Sequence, residues 1–194
     1  MKKETYHHGD LRAALINAAE KVLEEKGLEG FSLRAVAREV GVSHAAPAHH
    51  FKDASGLLMA LATDGFRRFT SVMEARQTRA ATDPKSQMMA SGHGYLDFAL
   101  SHPALFRLMF GSERLKNHTE DLGEASEAAF DHLHRTVAAL KGVETPDIAD
   151  VLGIWSIVHG FAELYISGRL YPVQQMSKRE RDDFLERIFA PVLA

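Results

Sequence analysis

Apolar residues recur along this chain at intervals of three and four, with no sustained alternation of period two, so the elements it predicts are helices throughout. Leu11, Leu15, Ala18, Ala19, Val22 and Leu23 form the stripe of a helix from about residue 10 to Lys26, which Gly27 ends. Asp10 near its start complements the positive end of the helix dipole. Ser32 is placed to cap a short helix, Leu33 to Val40, with Leu33, Val36, Ala37 and Val40 facing inward. In the three-residue turn Gly41-Val42-Ser43, glycine supplies a left-handed residue and Ser43 is expected to cap the next helix, His44 to Phe51. Lys52 to Ser55 separates it from a long helix, Gly56 to about Ala80, carrying Leu57, Leu58, Leu61, Phe66 and Phe69.

Thr82-Asp83-Pro84 is the expected break between domains, because proline interrupts one helix and opens the next. Further helices are predicted at about 85–101, 103–110, 121–140, 146–168 and 178–193, punctuated by Gly142, Pro146 and Leu170-Tyr171-Pro172. The pattern is that of an all-α protein of about nine helices: an N-terminal three-helix domain, residues 1–55, and a C-terminal helical domain, residues 56–194, joined by a connecting helix at 56–80.

Composition narrows the class. The 194 residues are 45% hydrophobic and 25% charged, the balance of a water-soluble globular protein. Cysteine is absent, which removes disulfide and thiolate chemistry and fits a cytoplasmic location. Acidic and polar residues interrupt the N-terminal stretch, so it does not read as a signal peptide, and no window approaches the roughly 18 consecutive apolar residues of a membrane span. The net charge of −3 hides an asymmetry. Through residue 80 there are 12 Lys and Arg against 10 Asp and Glu, and beyond it 11 against 16. Five of the 11 histidines, His7, His8, His44, His49 and His50, also fall in the first part. The bias favours an anionic partner at the N-terminal end.

Two short helices joined by a glycine turn match the helix-turn-helix pattern, whose second helix enters the DNA major groove. That second helix must be short and carry small or polar residues. Ala45 and Ala46 add little bulk and suit a thymine methyl, while Ser43 and His44 suit a base edge. Ser32, Arg34, His49 and Lys52 stand where phosphate contacts are expected, and His50 belongs to the same set. Pro47 is expected to loosen the hydrogen bonding of this helix.

From Leu11 to about Leu61 the sequence resembles the TetR family of bacterial repressors: an amphipathic first helix, G-L-E-G-F-S-L-R-A-V-A-R-E-V-G-V-S, then H-H-F-K-D and a leucine-bearing helix. In the second half, H-P-A-L-F-R-L-M-F-G (102–111) and W-S-I-V-H-G-F-A-E-L (155–164) look like a subgroup of that family named for its Trp, His and Gly, here Trp155, His159 and Gly160. The resemblance implies a homodimer on a near-palindromic double-stranded DNA operator, with a small-molecule effector in the second domain that releases it. It also implies an aromatic residue where this chain has Ala48 and a lysine near Ala54, both backbone contacts, and hence a weaker or more salt-sensitive DNA complex.

The helix 146–168 is apolar on more than one face, with Gly153, Ser156 and Gly160 allowing close approach, and is expected to lie between its own domain and a partner subunit. The last helix, with Phe184, Leu185, Ile188, Phe189 and Val192, is a second contributor to that seam. Met88, Met89, Phe98, Leu105, Met109, Phe110, Trp155 and His159 are the candidate lining of an effector pocket.

An enzyme is not expected. His132 and His134 are two apart and so face different ways on a helix, the i,i+4 metal spacing is missing, and there is neither a glycine-rich phosphate loop nor a nucleophile elbow. No cofactor or metal is expected. The competing reading is a helical ligand-binding or adaptor protein that has lost DNA binding.

Overall fold

The protein is described by a computed structural model covering residues 8–112, 115 and 119–193, with side chains described between Leu11 and Pro191. His7, the reading of the first seven residues, and the side chains of His8, Asp10 and Val192 lie outside the described residues. Ten helices and no strand are present among the described residues.

The chain forms two compact units, one of Met1–Phe66 with His102–Ala125 and the other of Arg67–Ser101 with Ser126–Ala194. Division at residue 55 follows the end of the helix-turn-helix, whereas the compact units part inside a helix and the first also recruits a later segment.

In the first unit, α1 (His8–Lys26) packs on α2 (Leu33–Val40) and on α6 (Pro103–Gly111). Leu15, Ala19, Leu23, Val36, Ala37, Leu57, Leu61, Leu105 and Leu108 are wholly or almost wholly buried there. Glu20 and Glu24, one turn apart on α1, hold the start of α6. The Glu20 carboxylate lies 2.8 Å from His102 Nδ1, and the Ala104 N–H donates to Glu24 Oε1 at 3.1 Å. A carboxylate at a helix N-terminus meets the positive end of the dipole and an otherwise unpaired donor. Gly65 on α4 (Ala54–Gln77) lets α6 come close, since a Cβ there would stand 2.7 Å from Met109 Sδ.

The helix-turn-helix is locally encoded. Ser32 Oγ accepts from the Ala35 N–H at 3.2 Å, and Gly41 at φ 76° closes α2. The next helix, α3, begins later than its sequence suggests, at Ala46, and runs to Phe51. Ala45, not Ser43, is its N-cap residue, and no side chain caps it. Pro47 therefore sits in the first turn, where its missing N–H would have been unpaired anyway, so it costs the helix no hydrogen bond.

In the second unit α5 (Pro84–Ser101) packs against α8 (Ile148–Ile166) and α10 (Lys178–Leu193). The Thr82-Asp83-Pro84 break is internal to this unit. Asp83 Oδ1 accepts from the Ser86 N–H at 3.0 Å, so the segment caps a helix rather than linking domains. Asp97 joins three helices: Arg76 of α4 donates through Nε at 2.7 Å, and Lys178 of α10 through Nζ at 2.6 Å. Its burial would raise the carboxyl pKa, but the hydrogen bonds from Lys178 and Arg76 outweigh that and hold it below the ordinary value. Leu170-Tyr171-Pro172, read as punctuation, opens a short helix of its own, α9 (Tyr171–Gln174), with Pro172 in its first turn. The remaining helix, α7 (Glu120–Lys141), runs from one unit into the other, as does α4.

Helix α8 is long and apolar enough to cross a membrane by length and composition, but only 28% of that stretch is buried. Ile148, Leu152 and Leu164 are exposed, and a Cβ added at Gly153 or Gly160 would meet nothing within 4 Å.

Candidate nucleic-acid interface and ligand site

Helix α3 is fixed by two residues one turn apart. Pro47 and Phe51 are buried, and Arg12 of α1 caps the Phe51 ring with its guanidinium 5.3 Å from the centroid. With that face anchored, the opposite one projects. Ser43, His44, Ala45, Ala48 and His49 are exposed, while Ala46 and His50 are half-buried. His50 leans on Phe51 with ring centroids 6.1 Å apart. Ser32 and Arg34 are exposed at the start of α2, and the Ser32 hydroxyl, already accepting from backbone, retains its own proton to donate.

Lys52 is exposed and has φ 69° and ψ −59°. The Asp53 N–H donates to the Phe51 carbonyl at 2.8 Å across it, which makes a γ-turn with a lysine at its strained centre. Asp53 then caps α4 through Oδ1, accepting from the Gly56 N–H at 2.8 Å. The chain thus reverses in very few residues, and this sets Lys52 at the end of the projecting face. Two features of this face escape a reading of the sequence: the Pro47/Phe51 anchor, and the cation over Phe51, whose partner is 39 positions away.

The eight residues read as an effector lining fall in different places. Leu105 and Met109 are core of the first unit, beside Gly65, and Phe110 meets Phe66 edge-on at 5.4 Å. Met88 and Phe98 are core of the second unit, with Phe98 taking Phe69 edge-on at 5.3 Å. Trp155 and His159 meet at a residue that the sequence does not single out, Tyr95 of α5. Its hydroxyl lies 2.7 Å from His159 Nδ1 and accepts from the Trp155 indole N–H at 3.4 Å. Burial pushes the Tyr95 phenol far up, so it stays protonated, and burial also lowers the His159 imidazole against an opposing pull from Glu163. The phenol O–H then donates a hydrogen bond to Nδ1 of a neutral imidazole that carries its own proton on Nε2. Nothing in the spacing signals this contact, because its partners are 60 and 64 positions apart.

Met89 lies elsewhere. It lines a cavity of about 560 Å³ in the second unit, with Arg76, Arg79, Lys85, His93 and Glu186 among its neighbours. His132, half of the H-x-H pair, is buried, with its Nε2 3.2 Å from Ser91 Oγ and its Nδ1 4.0 Å from Glu74. Among the described residues no three His, Cys, Asp or Glu side chains gather as metal ligands.

Comparison with known proteins bears on both halves. Residues 15–61 match the family described as bacterial regulatory proteins, tetR family, and residues 88–191 match the tetracyclin repressor-like C-terminal domain. The chain is 27% identical over 136 residues to the HTH-type transcriptional regulator BetI of Cronobacter sakazakii, a match spanning 70% of this chain and 67% of that one. It is 35% identical over 79 residues to BetI of Burkholderia cenocepacia, covering 41% of each. Among solved structures, a protein of unknown function from Rhodococcus sp. RHA1 superposes with a TM-score of 0.82 at 35% identity, over 98% of this chain and 97% of that one. The TetR family regulator PfmR of Thermus thermophilus shares the fold at a TM-score of 0.66 and 18% identity, over 92% and 96% of the two chains.

Proposed function

Because the chain belongs to the tetR family of bacterial regulatory proteins, and so is a DNA-binding transcriptional regulator and not an enzyme, we propose that it is a homodimeric repressor that a small-molecule effector releases from a near-palindromic operator. It acts in the cytoplasm, on double-stranded DNA.

The observation that carries the proposal is the projecting face of α3. Ser43, His44, Ala45, Ala48 and His49 are exposed together, whereas Pro47 and Phe51 hold the helix from behind. His44, Ala45 and Ala46 read base edges, and Ser32, Arg34, His49, His50 and Lys52 hold the flanking backbone. Two such heads enter successive major grooves roughly 34–36 Å apart. The face is short of lysine and arginine, with Ala48 and Ala54 in places where the family resemblance implies stronger backbone contacts, so operator affinity is low and, with few phosphate contacts, declines only gradually with salt.

Support for the dimer comes from α8. Ile148, Leu152 and Leu164 are exposed, and Gly153 and Gly160 leave open backbone between them. A second copy of this helix would cover that apolar face, and α10 contributes beside it. For release, α4 supplies the route. It is unbroken from Ala54 to Gln77, contributing to the first unit up to Phe66 and to the second from Arg67. A ligand that prefers a turned α4 shifts the protein toward the released form by that preference and no more.

The test is a gel shift with DNA flanking the gene, at several salt concentrations. Saturable binding that weakens on replacing His44 with alanine is the expected result. A stable protein indifferent to every such fragment would instead favour the adaptor reading.

A further inference from the structure

The cavity of about 560 Å³ beside Met89 has a composition of its own. It is formed by the C-terminal end of α4 and its following loop, the start of α5 and the late part of α10, and it is open to solvent. Its lining combines apolar Met89, Ala90 and Ala190 with the charged Arg76, Arg79, Lys85 and Glu186.

The charges do not cancel. Arg76 is committed to Asp97, which also holds Lys178. The side chains of Arg79, Lys85 and Glu186 have no hydrogen bond or ion pair among the described residues. Two unpaired cations against one unpaired carboxylate leave the lining with a single excess positive charge. His93 lines the same wall, and its Nε2, buried behind that surface, has no hydrogen-bond partner. A polar atom in that state is costly unless something reaches it. A volume of this size, partly apolar and carrying a few convergent polar groups, is that of a small-ligand site.

We propose that this cavity binds a singly charged organic carboxylate with an apolar body, its carboxylate between Arg79 and Lys85 and a polar atom within reach of His93. Glu186 selects against more highly charged anions, because a second negative group would face it directly. Cationic ligands are disfavoured by the two free cations. In naming this ligand as the class to which the effector belongs, the proposal rests on the preceding reading of the protein as an effector-released repressor; binding itself does not depend on that reading.

Calorimetric titration of the whole chain with octanoate and benzoate tests the site, with octanamide and benzamide as neutral counterparts and octanedioate as the doubly charged one. Each carboxylate is expected to bind at least about tenfold more tightly than its amide and than octanedioate, since charge-assisted hydrogen bonds are lost or opposed in those. The Arg79→Gln, Lys85→Gln double variant alters exposed positions, keeps the fold by circular dichroism, and is expected to lose a similar factor. His93→Leu is expected to weaken binding, and Ala190→Phe to obstruct it by taking up part of the cavity. No binding by either carboxylate, or binding unchanged in the double variant, would overturn the proposal. Operator affinity with and without octanoate is read separately. Carboxylate binding that lowers it supports site and release together; carboxylate binding that leaves it untouched supports the site and counts against the release scheme.

Discussion

Gly56 approaches the backbone of Phe51 so closely that a Cβ at position 56 would stand 2.0 Å from the Phe51 carbonyl oxygen. The same carbonyl accepts from Asp53 across Lys52, so α3, the γ-turn and the first turn of α4 form one strained corner. Gly56→Ala is therefore expected to cost at least about 2 kcal/mol and to lower the melting temperature by several degrees. Lys52→Gly should move the two measurable properties in opposite directions. Relief of the positive φ raises stability by up to about 1 kcal/mol, while loss of the cation weakens DNA binding. Thermal melts and gel shifts on the same samples decide it, and a Lys52→Gly protein that melts lower would show that the corner is not strained.

His44 and Ala48 separate reading from gripping. Replacing His44 with alanine on this exposed turn should leave the melting temperature unchanged, cost about 1–3 kcal/mol of operator affinity, and relax sequence preference. Ala48→Tyr should do the reverse, tightening operator and unrelated DNA alike by about fivefold, as one added backbone hydrogen bond of about 1 kcal/mol would. Unchanged affinity in Ala48→Tyr would remove position 48 from the interface.

The open face of α8 makes the assembly testable. Leu152→Glu puts a charge on the exposed apolar stripe, and Gly160→Trp fills the open backbone between helices. Both are expected to yield folded monomers by light scattering, with operator affinity reduced at least about a hundredfold because each head then binds alone. If either variant remains dimeric and binds normally, the seam lies elsewhere.

Asp97 gives a pH-dependent clamp. Its folded pKa is depressed, so its stabilisation is present above the ordinary carboxyl value, 3.8, and is lost as pH falls through the lower folded value. Because about a third of the side chain is exposed, the effect is modest. Asp97→Asn is expected to cost about 1 kcal/mol near neutrality, and the gap between the two proteins should close in strong acid. A gap independent of pH would mean that packing, not charge, accounts for the loss.

His132 and His159 act at the other end of the scale. Burial lowers both, with Glu74 and Glu163 respectively pulling the other way. Their folded imidazoles resist a proton that the unfolded chain accepts below the ordinary value of 6.5, so stability declines as pH drops through that value. His132→Gln, which can still bond Ser91, should flatten the decline in melting temperature between about pH 8 and about pH 5. An unaltered slope would assign it to other groups.

What the sequence conveys best is whatever is local. Gly27 and Gly41 end their helices in the left-handed conformation, with φ 64° and 76°, and the stripe from Leu15 to Leu23 is buried, because capping and periodicity are contained within a few residues. The helix-turn-helix is legible for the same reason. The start of α3 is misplaced because a serine before a short helix is ordinarily its cap, and here Pro47 in the first turn competes with that signal. The candidate pocket is least legible. Met88, Phe98, Leu105 and Met109 look like pocket residues by type, yet type does not say whether a helix face meets another helix or a void. Tyr95 and Asp97 gain their roles only from partners on other helices, as with Lys178, 81 positions beyond Asp97.

The grip of Glu20 and Glu24 on the start of α6 has a consequence for how the protein is made. The first unit draws on His102–Ala125, so its full set of contacts forms only once α6 has been synthesised. A fragment ending near residue 80 lacks α6 and its partners for Glu20 and Glu24, and is therefore expected to be cut by protease more readily than the whole chain.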